Sequence, residues 1–129
     1  MSEIKYRMFP ISLESDPAWL SLSLRYREFF RFIVSRCVHT ESYIYKGHDL
    51  TYGQFVASER ELSNMYNETV ANKDDEIGKT LADVILKKIE ILGFWKLEKT
   101  GVAGQRKTII TISHSDTYAL IKNSDGARK

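Results

Sequence analysis

Two sets of side chains have the types and spacing to touch a polyanion. Lys79, Asp83 and Lys87 recur at four-residue intervals, with Thr80 at their border, so on a helix they share a face. Lysine and threonine can reach phosphates or base edges, and aspartate can accept from a cytosine amino group. The second set, Lys96, Lys99, Arg106 and Lys107, flanks Gly101-Val102-Ala103-Gly104. Glycine lets a backbone come close to a sugar-phosphate strand, and the cations add a salt-dependent, sequence-independent attraction. Both sets have a plainer reading. A solvated helix face carries the same charges, and lysines along a hairpin keep its edge from pairing with other chains.

Other chemistry has little support. His39, His48 and His114 are scattered and lack the i, i+4 spacing of a zinc helix. The glycines at 101 and 104 are not followed by Gly-Lys-Ser/Thr, so no phosphate loop is present. Glu59 and Glu61 belong to a helix start, and Cys37 lies on an apolar helix face. The expectation is a binding protein with no catalytic residues, no cofactor and no metal.

The elements that must position the two sets follow from periodicity. Residues 74–92 read as the central helix. Its apolar face carries Ile77, Leu81, Val84, Ile85, Lys88, Ile89 and Leu92, and its outer face Lys79, Asp83, Lys87 and Glu90. Gly93 stands where a left-handed residue ends a helix. Lys96 and Lys99 then fall on a strand at 94–99, and Arg106 and Lys107 at the start of a returning β-branched strand that runs to Ile112.

Upstream, Asp16-Pro17 opens a short turn with Trp19 and Leu20, and Ser23 caps a helix from Leu24 to about Val38. That helix turns Tyr26, Phe29, Phe30, Ile33, Val34 and Cys37 inward, and its arginines to solvent or, in a second reading, to phosphates. Tyr43-Ile44-Tyr45 and Gln54-Phe55-Val56 read as short strands. Ser58-Glu59-Arg60-Glu61 has the form of a capping box, which starts a helix at Glu59 ending near Asn67. Ser115 caps a last turn through Tyr118, Leu120 and Ile121.

Composition fits one domain. The chain has 129 residues, 43% of them hydrophobic, and no apolar run near the ~18 residues of a membrane span. A single cysteine suits a reducing cytoplasm. Residues 51–93 carry five basic and eight acidic side chains, residues 94–129 seven and three. The basic third is compatible with a polyanion. The acidic middle is equally compatible with a protein partner.

Helix, short strand, capped helix, loop, long helix and β-hairpin is the order of an α+β winged helix-turn-helix: three core helices with a C-terminal β-hairpin wing. The expected layout is an N-terminal arm over 1–15, the domain over 16–121 and a flexible tail over 122–129. The residues also carry a resemblance. Tyr52-Gly53-Gln54-Phe55-Val56-Ala57-Ser58-Glu59-Arg60-Glu61-Leu62-Ser63 resembles the GQF-x-x-S-x-R-x-L stretch of winged-helix domains in phage and plasmid replication initiators and replisome organisers. The likeness continues through Leu86, Ile89, Gly93, Phe94-Trp95 and the strand Arg106–Ile112. Trp19 and the aromatic helix after it fit too, so it covers roughly residues 17–118.

The resemblance implies double-stranded DNA as partner. Lys79, Thr80, Asp83 and Lys87 would lie on a recognition helix, and Lys96, Lys99, Arg106 and Lys107 on the wing. The role would be replication initiation or transcription regulation of a phage- or plasmid-type element, with a replication or regulatory protein as further partner. A homodimer is open, with Trp95 as one surface for it. One departure bears on mechanism. Asn72-Lys73-Asp74-Asp75-Glu76 is longer and more acidic than the family's approach to the recognition helix. Carboxylates face phosphates unfavourably, so the wing is expected to carry more of the affinity than the helix. The alternative is a winged-helix module that docks proteins and no DNA.

Overall fold

Tilted and edge-on aromatic contacts lie at the centre of the core. Phe30 lies 5.3 Å from Trp95, 5.7 Å from Phe94 and 5.5 Å from Trp19, centroid to centroid. In this computed structural model residues 13, 15–45, 47–101 and 106–127 are described, the last five as backbone only. The described chain forms α1 (Pro17–Leu20), α2 (Leu24–Arg36), β1 (Tyr43–Tyr45), β2 (His48–Leu50), β3 (Gln54–Ala57), α3 (Glu59–Asn67), α4 (Lys79–Ile91), β4 (Trp95–Thr100), β5 (Lys107–Ile112) and α5 (Ser115–Ala127). It is an α+β fold with two small antiparallel sheets. No described helix is long and apolar enough to cross a membrane.

Local signals start most of these elements. The Asp16 carboxylate accepts from the Ala18 amide at 2.8 Å, and Pro17 fills the first helical position of α1. Ser23 caps α2. The capping box is complete: the Glu61 amide donates to Ser58 Oγ at 3.1 Å and the Ser58 amide to Glu61 Oε1 at 2.9 Å. Gly93 has φ +88°, and the amides of Gly93 and Phe94 reach back to the carbonyls of Glu90 and Ile89. That is a Schellman ending, and it turns the chain from α4 into β4.

The three-stranded sheet has the order β3-β5-β4. Phe55 pairs with Ile110 and Ile110 with Leu97, on the face turned toward the helices. β1 and β2 form a separate hairpin. Leu50 packs with Val38 and Val56 on the sheet's other face. The strand at 43–45 was expected from sequence, its partner at 48–50 was not. At Gly53, φ is +75° and a Cβ would stand 3.1 Å from the Tyr118 ring. Glycine is thus required where α5 crosses the sheet.

Four expectations need correction. The central helix does not begin at Asp74. Lys73–Asp75 form one 3-10 turn capped by Asn72, Gly78 is extended, and α4 starts at Lys79. A side-chain clamp holds this break: Asn67 donates through Nδ2 to the Ile77 carbonyl and accepts from the Ile77 amide, both at 2.8 Å. Second, the inner face of α4 is Ala82, Ile85, Leu86 and Ile89, while Val84 is 47% exposed and Lys88 exposed. Third, Trp95 is fully buried and donates from Nε1 to the Leu86 carbonyl at 3.0 Å, so it offers no dimer surface. α5 also runs to Ala127, beyond the single turn expected. Of the expected N-terminal arm, residues 1–12 and 14 lie outside the described residues. Leu13 is buried.

Candidate nucleic-acid interface

α3 and α4 pack side by side, and the β4–β5 hairpin meets the first turn of α3. Ala57 pairs with Thr108, so the next residues of the two strands, Ser58 and Lys107, lie where α3 begins. Lys99, aligned with Thr108, shares the helix-facing side of the sheet. Two lysines of the hairpin therefore reach the two first-turn carboxylates of α3. Lys99 Nζ is 2.5 Å from Glu59 Oε2 and 3.0 Å from Thr108 Oγ1. Lys107 Nζ is 2.8 Å from Glu61 Oε1, the same oxygen that accepts from the Ser58 amide. One capping box thus starts α3 and anchors the hairpin.

Electrostatics at Glu59 follow from this geometry. Partial burial alone would push its pKa up. The hydrogen bond and charge of Lys99, with its own backbone amide and the Thr108 hydroxyl, outweigh that and hold the carboxyl below its ordinary value. Both carboxylates also sit at the positive end of α3, where negative charge is favoured.

Lys79, Thr80 and Asp83 line a shallow cleft of about 310 Å³ together with Glu59. The first turn of α4 and the base of the hairpin, two separate expectations, therefore meet at one carboxylate. Lys87 lies further along α4 and pairs with Asp83 at 3.0 Å. An exposed i, i+4 pair of this kind is worth only a few tenths of a kcal/mol, so a ligand can break it. No ion pair among the described residues engages Lys79, Lys96 or Arg106. Lys96 aligns with Thr111 and Gln54 on the sheet face away from the helices, and so does not join Lys99. Arg106 is exposed at the end of the hairpin, and the tip at 102–105 lies outside the described residues.

Two participants were missed. The sequence reading assigned Glu59 and Glu61 only to a helix start, although they neutralise two of the four hairpin cations. Their partners lie 40 and 46 residues away, which no local pattern reveals. Lys88 was placed inside and is outside.

The arginines of α2 are engaged by carbonyls and aromatic rings. Arg27 donates to the carbonyls of Trp19 and Leu20, and both Arg27 and Arg31 stack on the Trp19 ring at 5.9 and 5.4 Å. Arg36 lies over Phe32. They pack on aromatic surface by cation–π contact. Among the described residues no cluster of His, Cys, Asp or Glu could hold a metal ion. No family model, no curated protein and no solved structure matches the chain.

Proposed function

We propose that this chain is a winged-helix DNA-binding protein that acts by binding alone, in replication initiation or transcription regulation of a phage- or plasmid-type element. One observation carries the reading. The basic hairpin is tied by the Lys99–Glu59 and Lys107–Glu61 pairs to α3, and α3 packs beside α4, which exposes Lys79, Thr80, Asp83 and Lys87. A helix in the major groove with a ribbon on the neighbouring phosphate strand needs such a connection. The order α2–β3–α3–α4–β4–β5 and the β3-β5-β4 sheet support the winged-helix assignment.

A second reading, a protein-docking module, is favoured by the same ion pairs, which leave fewer cations for phosphate. Fluorescence anisotropy on a labelled random duplex separates the two. The DNA reading predicts binding near ~50 mM salt that weakens steeply by ~200 mM. Absence of binding at the lower salt leaves the protein-docking reading.

A further inference from the structure

The outward face of α4 differs from the charged one that its sequence suggests. At about 100° per residue, Thr80, Val84, Lys87 and Ile91 fall within roughly 60° of one another, opposite Ala82, Ile85, Leu86 and Ile89. Three of these four outward residues are β-branched. Val84 is 47% and Ile91 80% exposed. Solvent-facing helix positions favour straight-chain residues, because β-branched side chains lose rotamer freedom there. The strip thus leaves methyl groups in water at positions that local preference would give to lysine or glutamate. Its one charge, Lys87, is tied to Asp83 on one flank, while Lys88 stands exposed on the other and Lys79 at the first turn.

An occupant must match methyl groups in the middle and cations at the rim. Duplex DNA satisfies both: its major groove presents the thymine C5-methyl among base edges, between two anionic strands. Thr80 and Val84 are one turn apart, about 6 Å along the axis, which spans roughly two base-pair steps.

We infer that Thr80 and Val84 are specificity-determining residues that read thymine methyl groups in the major groove, with Ile91 extending the same strip. The inference rests on the duplex-DNA reading above. Thymine-bearing sites are then preferred through apolar contact, while Lys79 and Lys88 hold the flanking phosphates. The Asp83–Lys87 pair spaces the strip and is secondary to base choice.

The test uses the full chain and a duplex enriched by it from a random pool. Each thymine is replaced singly by deoxyuridine, which removes only the methyl group. The wild type should lose affinity about threefold to fivefold at one or two positions, the worth of one buried methyl. Val84→Ala should lose the thymine preference at one of those positions, keep any preference at the position that Thr80 reads, and keep the wild-type salt dependence. It should also keep its fold, since Val84 is exposed and alanine is the better helix former. Retained binding with no effect of any deoxyuridine overturns this inference alone, as does an unchanged thymine preference in Val84→Ala. No retained duplex overturns the DNA reading with it. A dimer in sedimentation that Val84→Ala dissociates assigns the strip to a second copy and also overturns it.

Discussion

The carboxylate of Glu59 faces a lysine from the hairpin and a hydroxyl from β5, and its side chain is only 16% exposed. Its pKa is held below the ordinary value, so ionised Glu59 favours the folded chain. That contribution is complete above the unfolded pKa, near ~4.3, and fades as pH falls through the lower folded value. The melting temperature of the wild type should therefore exceed that of Glu59→Gln at pH 7 by a margin worth at most ~1 kcal/mol. The margin should close below about pH 4; a gap unchanged at pH 3 would mean that the pair adds nothing. At Gly53 the positive φ and the Tyr118 ring act together. Gly53→Ala should cost roughly 1–3 kcal/mol in urea unfolding.

Among the elements, α4 shows most clearly what a sequence discloses. Its C-terminal end was legible because Gly93 adopts the one conformation that glycine takes most readily. The α3 start was legible because Ser58 and Glu61 satisfy each other three residues apart. The N-terminal end of α4 was not legible. Its position depends on Asn67, ten residues upstream, bonding both polar groups of Ile77. Asn67→Ala leaves both without that partner and should destabilise by about 1–3 kcal/mol, read from urea unfolding. Val84 was misplaced because the apolar face was drawn through large side chains, whereas the true centre includes the small Ala82, fully buried. Gly78 caps α4 without a side-chain hydrogen bond and with open space around it. Gly78→Asp should raise stability by ~0.5 kcal/mol through capping and the helix dipole. The same carboxylate should weaken duplex binding, since it adds negative charge beside Lys79. A variant that melts higher yet binds less tightly separates fold from interface.

At the scale of the whole molecule, the α+β class, the C-terminal hairpin and the order of the elements other than β2 were readable, because each follows from periodicity or turn chemistry within about twenty residues. The division of charge was not. Residues 94–129 carry seven basic and three acidic side chains, four of the basic ones on the hairpin, and Lys99 and Lys107 spend part of their charge on α3. The acidic run 74–76 lies in a turn ahead of α4, not on the outward strip of the helix. On this account the hairpin orients and attracts, and α4 chooses the base. The most direct measurement is the salt slope of binding to a random duplex, from ~50 to ~200 mM, for the wild type, Lys99→Ala/Arg106→Ala and Lys79→Ala. Expected are a steep wild-type slope, a slope shallower by between ~0.9 and ~1.8 in the double variant, because Lys99 is shared with Glu59, and a smaller change in Lys79→Ala. A wild type that does not bind at ~50 mM, or a double variant with the wild-type slope, would contradict it.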